Sequence, residues 1–189
     1  MIRLFLAVNA QVAVTRRIAE EVAKLKSQVR ESMRVVWVPP ANLHVTLMFL
    51  GSAQEEIIEG IEGRLAKVAA RHAPFQMKAR GLGAFPSAEK PRVLWFGVDG
   101  GEALLKLQRD VEGAMVELGF AKDQHAYHPH ITVGRVKEQA AESTWPASPE
   151  IDAGVSTVSE IVVYESKTTS AGAEYTARAR VQLSKKENL

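Results

Sequence analysis

The chain of 189 residues contains no cysteine. This absence excludes disulfide bonds, thiolate metal ligands and a cysteine nucleophile, so any chemistry must come from histidine, carboxylates, hydroxyls, lysine or arginine. No apolar run reaches the roughly 18 residues that a membrane-spanning helix needs. The apolar start of the chain is also too short for the core of a signal peptide and lacks a cleavage-like end. We therefore expect a cytoplasmic protein without a membrane partner.

The sequence also has only a small excess of positive over negative charge. Lysine and arginine number 24 against 22 aspartate and glutamate residues, which gives a net charge of +2. So small an excess does not predict an extended nucleic-acid surface, but it allows a local basic pocket for a small anion such as a terminal phosphate. The apolar fraction of 46% is ordinary for a globular protein, and the length fits one sizeable domain or two lobes around a shared core.

Hydrophobic periodicity predicts three amphipathic helices, with apolar faces over residues 18–29, 58–68 and 104–118. We interpret Ser52-x-x-Glu55 as a capping box for the second helix, and Gly119 as the end of the third. Strands are predicted at 3–8, 35–38, 43–50, 75–80, 92–98, 130–133, 159–164 and 175–183. The remaining predictions are turns at 81–86 and 170–173, a loop at 138–150 that could close over a site, and a frayed tail at 185–189.

One four-residue pattern, His-x-Thr-apolar, occurs as His44-Val45-Thr46-Leu47 and again as His130-Ile131-Thr132-Val133. In a strand, alternate side chains point to the same face, so the His and Thr of each motif share a face while their apolar neighbours turn to the core. Before each motif the chain has a strand that begins with arginine, followed by a helix. We interpret this repeat as an internal duplication and expect an α+β fold of two lobes related by a pseudo-twofold. The two motif strands should then line one cleft, and residues 1–189 should form a single domain of two intertwined lobes.

Two histidines that face one cleft suit proton-transfer chemistry. An unperturbed imidazole titrates near pKa ~6.5, so one ring can act as a base while the other acts as an acid. The neighbouring threonine hydroxyls can donate hydrogen bonds to negatively charged oxygens. Because no acidic triad partner is evident, cleavage of a phosphodiester by an activated water fits better than acyl transfer through a serine. This chemistry predicts a bell-shaped dependence of the rate on pH.

The paired motifs and their flanks resemble a known family, the two-histidine (2H) phosphoesterases. Within it, the chain looks most like the bacterial and archaeal RNA 2',3'-cyclic phosphodiesterases, also called 2'-5' RNA ligases. The resemblance lies in five sequence segments: Arg3-Leu4-Phe5-Leu6-Ala7, Asn42-Leu43-His44-Val45-Thr46-Leu47-Met48-Phe49-Leu50-Gly51, Arg92-Val93-Leu94-Trp95, His128-Pro129-His130-Ile131-Thr132-Val133-Gly134-Arg135 and Tyr164-Glu165-Ser166. The resemblance runs from the first strand to the last hairpin.

The resemblance implies a bilobal fold of antiparallel sheet with helices outside and a central cleft. It also implies hydrolysis of 2',3'-cyclic phosphate ends to 2'-phosphates without a metal or other cofactor, with reversible 2'-5' ligation as a further reaction. Carried over residue by residue, His44 would be the proton donor and His130 the proton acceptor. Thr46 and Thr132 would bind phosphate oxygens, and Arg135 would contact phosphate or the terminal base. The expected partners are RNA ends or nucleotide 2',3'-cyclic phosphates, bound by a monomer.

Four further side chains carry expectations of their own. In an unbroken strand Arg135 would point away from His130, so it can enter the cleft only if the strand bulges or ends near Gly134. Phe49 is expected in the core, because in a regular strand it points to the same face as Val45. We expect His72 to be exposed at a helix end, and Trp145 is the tryptophan we consider for ligand contact.

Two other interpretations stay open. His125, His128 and His130 could ligate a metal, although the sequence offers no adjacent carboxylate ligand and Pro129 disturbs the strand. His128 is expected at the cleft rim or behind it. The second alternative is a non-catalytic module that binds nucleotides or RNA ends, which both intact histidines argue against.

Overall fold

A computed structural model gives the fold and describes residues 1–29, 32–140, 144–146, 148–169 and 172–184. The elements in these residues are β1 Ile2–Val8, α1 Val12–Val29, β2 Met33–Trp37, β3 Val45–Ala53, α2 Ile57–Ala69, β4 Phe75–Phe85, β5 Val93–Asp99, α3 Gly101–Val116, β6 His130–Gln139, β7 Ser148–Val158, β8 Glu160–Thr169 and β9 Gly172–Gln182. A short 3₁₀ turn, Pro40–Asn42, precedes the first motif. None of the helices in the described ranges has the length and apolar character needed to cross a membrane.

The strands form one curled antiparallel sheet in the order β7-β4-β5-β6-β3-β1-β8-β9, and β2 also pairs with β6. Counted outward from the centre of the sheet, one half consists of β6, β5, β4 and β7, and the other half consists of the equivalent strands β3, β1, β8 and β9. In each half the first two strands are joined along the chain through a long helix, α1 or α3. The halves meet where Val45 of β3 pairs with Ile131 of β6. The predicted bilobal α+β fold is therefore confirmed, and the pseudo-twofold lies between the second residues of the two motifs.

Helices from each half reach across to the other. Helix α1 packs against β7, and α3 packs against β3, while α2 lies against α3 and β9. The apolar faces expected from the sequence are the faces that pack: Ile18, Ile61 and Leu107 are each 0% exposed. This exchange of helices ties the two halves of the sheet to a common apolar core.

The predictions for β4 and β7 were wrong. Strand β4 does not turn after Arg80 but continues to Phe85, because the irregularity at Gly81, whose φ is +75°, is absorbed as a bulge in the pairing with β5 and β7. Strand β7 begins inside the predicted loop and was not expected beyond it. Its polar and glycine residues hide the strand pattern, and its hydrogen bonds to β4 hold it extended.

The predicted capping box is also wrong. Strand β3 runs from Val45 through Gly51 to Ala53 rather than over 43–50. Ser52 therefore belongs to β3, where it pairs with Arg3 of β1. Glu55 forms an ion pair with Arg178 of β9. Helix α2 starts at Ile57 without a side-chain cap at its N-terminus. The sheet therefore holds the chain extended past the point where the local sequence favours a helix.

Two side chains expected near solvent are buried. His72 is 6% exposed, and its Nε2 lies 2.8 Å from Asp110 Oδ2 on α3, because α2 and α3 pack against each other. Trp145 is 2% exposed and packs against Trp37, with ring centroids 6.4 Å apart, so it offers no surface to a ligand. Residues 141–143 and 147 of the predicted loop, 170 and 171 of the predicted turn and the tail 185–189 lie outside the described residues.

Candidate active site

Each motif strand carries a bulge at the fourth residue of its motif. In β3, Thr46 pairs with Ala7 and Met48 with Leu6, which leaves Leu47 as the extra residue. In β6, Thr132 pairs with Trp95 and Gly134 with Leu94, so Val133 is the extra residue. Since one added residue reverses the alternation of a strand, the side chains beyond each bulge change face.

The bulges bring Phe49 and Arg135, each five residues after its histidine, to the same face as the motif side chains. The bulge near Gly134 that Arg135 requires is therefore confirmed. The prediction that Phe49 belongs to the core is wrong: its side chain is 65% exposed in the cleft. The alternation of side chains along a strand would place Phe49 in the cleft only if the bulge in β3 were known. No glycine in the sequence marks that bulge.

All five predicted site residues line a single cleft of about 510 Å³ at the junction of β3 and β6. They are His44, Thr46, His130, Thr132 and Arg135. Aromatic side chains that sequence reasoning did not assign to the site complete the wall, namely Phe5, Phe49, Phe85 and Tyr175. The predicted residues thus bring two imidazoles, two hydroxyls and a guanidinium into one cleft, whose lining also includes the polar side chains of Arg3, Asn42, Ser166 and Thr168.

The two imidazoles are held in the same way. His44 Nδ1 lies 2.7 Å from the carbonyl oxygen of Asn42, and His130 Nδ1 lies 2.6 Å from that of His128. A carbonyl oxygen can only accept, so each Nδ1 carries a proton and donates it. In the neutral ring Nε2 then carries no proton and can accept one, and Nε2 of His44 accepts a hydrogen bond from the Thr46 hydroxyl, whose Oγ1 is 3.1 Å away. Both rings therefore hold their second nitrogen ready for proton transfer.

Burial disfavours the charged form of both rings. His44 lies against Phe5 and Tyr175, with ring centroids 4.8 and 5.3 Å away, and burial lowers its pKa to about 4. The positive charges of His130 and Arg135 lower this pKa further. Burial also lowers the pKa of His130, whose ring stands edge-on to Phe85 at 5.2 Å. In the free protein both imidazoles are therefore neutral at pH 7, and an anion between them would favour their protonation.

The open metal interpretation finds no support in the geometry. Among the residues described, no three histidine or carboxylate side chains converge as metal ligands would. His125 is exposed and contacts Asp123, with Nδ1 3.1 Å from Oδ1. His128 is exposed beside the cleft and supplies its backbone carbonyl to His130, which agrees with the expected place at the rim.

Comparisons with known proteins agree with this arrangement. The sequence profile of the 2'-5' RNA ligase superfamily matches residues 14–169. A protein of Methanothermobacter thermautotrophicus named RNA 2',3'-cyclic phosphodiesterase is 34% identical over 93% of this chain and 95% of its own length. A protein of the same name from Aquifex aeolicus is 32% identical over 86% of this chain and 89% of its own.

Solved structures share the fold. TT0787 of Thermus thermophilus superimposes with a TM-score of 0.82 at 26% identity, covering 98% of this chain and all (100%) of that one. E. coli LigT complexed with phosphate superimposes with a TM-score of 0.73 at 26% identity, over 97% of this chain and 98% of LigT. With its duplicated motif on two matching half-sheets, the chain belongs to the 2'-5' RNA ligase superfamily.

Proposed function

We propose that the protein hydrolyses RNA or nucleotide 2',3'-cyclic phosphate ends to 2'-phosphates by histidine acid/base catalysis that needs no metal ion. The observation that carries the proposal is the pair of imidazoles in one cleft, each with Nδ1 bound to a backbone carbonyl and Nε2 left for proton transfer. The name shared by the relatives from M. thermautotrophicus and A. aeolicus supports the same reaction. Residues 1–189 would work as a single domain, because each half supplies one histidine.

In the proposed reaction, the phosphate of the substrate lies between the two motifs. His130 Nε2 accepts a proton from a water molecule as the water oxygen attacks phosphorus. The bond from phosphorus to the 3'-oxygen breaks, and His44 donates a proton to that oxygen, which leaves a 2'-phosphate and a 3'-hydroxyl. Thr46, Thr132 and Arg135 donate hydrogen bonds to the non-bridging oxygens, whose charge grows in the transition state.

The surroundings of the two rings favour this division of roles. His130 is the more open to solvent, as the activation of water requires. The phosphate charge would promote protonation of the enclosed His44, whose low intrinsic pKa makes the imidazolium a strong acid for a poor leaving group. The same groups would catalyse 2'-5' ligation if a 5'-hydroxyl replaced water as the nucleophile.

The test of the proposed function is incubation of the protein, treated with excess EDTA, with nucleoside 2',3'-cyclic phosphates. We expect turnover to a nucleoside 2'-phosphate, distinguished from the 3'-phosphate by ³¹P NMR. Loss of turnover in EDTA that added metal restores would contradict metal-free catalysis. Tight binding without turnover would instead favour the non-catalytic module, and a 3'-phosphate product would contradict the assigned leaving group.

The pH dependence of the reaction follows from the lowered pKa values. Catalysis needs His44 protonated and His130 neutral, which is one of the two singly protonated forms of the free enzyme, and singly protonated enzyme is most abundant between the pKa values of the two histidines, both below ~6.5. We therefore expect kcat/KM to reach its maximum on the acid side of pH ~6.5 and then to fall by about tenfold per pH unit. The maximum of kcat should lie at higher pH, because bound phosphate raises both pKa values. Enzyme held at each pH and assayed at pH ~7 controls for unfolding, and a kcat/KM that stays constant from pH ~4 to ~8 would contradict the mechanism.

A further inference from the structure

A second cavity, of about 340 Å³, opens beside the cleft. The two cavities share Thr46, Phe49, Phe85 and His130, so a ligand can occupy both at once. The second cavity extends away from Arg135 and toward helix α3. A substrate whose phosphate lies between the motifs would thus have room for a further group on this side.

The unusual residue of this cavity is Gln108, which projects from α3. It is 7% exposed and lines the cavity, yet its side-chain amide forms no hydrogen bond in the part of the chain that the structure describes. Within that same part, the side-chain nitrogen and oxygen atoms that are both fully enclosed and without a hydrogen-bond partner are the indole nitrogens of Trp95 and Trp145. The Gln108 amide is not among them, so it is not fully enclosed and remains accessible from the cavity. Its donor and acceptor are therefore available to a ligand.

The rest of the enclosed wall is mainly aromatic and aliphatic, and the exposed side chains of Asp123, His125 and His128 line the cavity on its solvent side. Phe49 and Phe85 present aromatic faces or edges, and Leu47 and Met48 fill the floor. The Tyr127 hydroxyl donates to the backbone carbonyl of Thr46 at 3.1 Å, and burial raises its pKa, so this wall stays neutral. An aromatic wall with one buried donor and acceptor pair matches a nucleobase, which stacks through its face and hydrogen-bonds through its edge.

We propose that this second cavity binds the base of the nucleotide whose phosphate lies in the cleft, and that the Gln108 amide hydrogen-bonds to the base edge. The inference rests on the proposed function, since it takes the phosphate to lie between the two motifs. Gln108 is then a residue that determines affinity for the base and takes no part in proton transfer. An amide can pair in bidentate fashion with the N6 and N7 edge of adenine, which makes adenosine a suitable probe.

The test compares two ligands that differ only in the base, adenosine 2'-phosphate and methyl riboside 2'-phosphate, by calorimetric titration. We expect the wild-type protein to bind the adenosine compound at least ~10-fold more tightly. Gln108→Leu, and Gln108→Met as an unbranched alternative, should remove most of that advantage without weakening the methyl riboside complex. Because the Gln108 amide forms no hydrogen bond in the described part of the chain, neither substitution removes a polar contact of the fold, and neither variant should lower the melting temperature. Gln76→Leu, on an exposed position of β4, is the matched control and should behave as the wild type.

Equal binding of the two ligands by the wild-type protein would overturn the inference, as would an adenosine advantage that survives in both Gln108 variants. These outcomes do not depend on turnover. Failure of the proposed function would appear separately, as an absence of hydrolysis of nucleoside 2',3'-cyclic phosphates by the wild-type protein. With turnover present, the Gln108 variants should raise KM for adenosine 2',3'-cyclic phosphate by at least ~10-fold, with a much smaller effect on the methyl riboside substrate.

Discussion

His130→Gln is expected to lower kcat for 2',3'-cyclic phosphate hydrolysis by about 10³-fold, and His44→Gln by a similar factor, because each removes one proton-transfer group. Glutamine has a similar size but does not titrate, so the cleft keeps its shape while the acid or base is lost. The double variant should be little worse than either single variant, since the two rings act together on one phosphate. Steady-state kinetics on the purified variants, with thermal unfolding as a control for folding, measures these losses.

The pH profile of the residual activity distinguishes the two roles. The acid limb of the profile comes from protonation of the base, and the alkaline limb comes from deprotonation of the acid. His130→Gln should therefore lose the acid limb, and His44→Gln should lose the alkaline limb. The opposite pattern would show that the roles are exchanged, and full activity of either variant would disprove the histidine mechanism. A merely structural histidine would change neither limb selectively.

Arg135→Met is expected to lower kcat/KM by about 10²-fold, the second largest effect that we foresee. Arg135 lies in the cleft beyond the bulge at Val133, and its charge acts on both histidines. A guanidinium there can stabilise the charge that develops on the phosphate oxygens, whereas methionine retains the length of the side chain without the charge. Arg135→Lys should recover part of the loss, because it restores the charge without the planar pair of donors.

Arg16→Met is the matched control, since Arg16 lies on the outer face of α1 in an exposed ion pair with Glu20. It should leave the kinetics unchanged. An Arg135→Met enzyme with wild-type kcat/KM would remove Arg135 from the site. Removal of this positive charge should also raise the pKa of His130, so the pH profile of kcat/KM should move to higher pH.

The sequence predicts those parts of this protein that depend on repetition and periodicity. The duplicated motif predicts the two halves of the sheet and their meeting at one cleft, and the spacing of apolar residues predicts the faces of all three described helices. The position of Arg135 was predictable because Gly134 marks a place where a strand can bulge. There, a side chain at residue 134 would meet Val35 at 2.8 Å, so the close packing of β2 requires glycine.

The wrong predictions concern features that depend on a contact with a residue or strand distant in the chain. Phe49 changes face at a bulge set by pairing with β1, and nothing local announces that bulge. His72 is buried by Asp110, which lies 38 residues away. Strand β7 is held by β4, although its own sequence resembles a loop. Local sequence contains no record of such contacts, so propensity alone gives the wrong answer.

The paired bulges have a consequence for the direction in which a substrate can bind. Two identical half-sites would accept a phosphodiester equally well in either of two opposed orientations, and neither histidine would then have a fixed role as acid or base. The residues beyond the bulges would distinguish the two orientations in the proposed reaction, since one is the cation Arg135 and its counterpart is the aromatic Phe49. An anionic group gains from the first neighbour and a planar apolar group gains from the second. The duplicated scaffold therefore repeats the His-x-Thr motif in both halves but places different side chains beyond the two bulges, and in the proposed reaction this difference would set the direction in which a nucleotide binds.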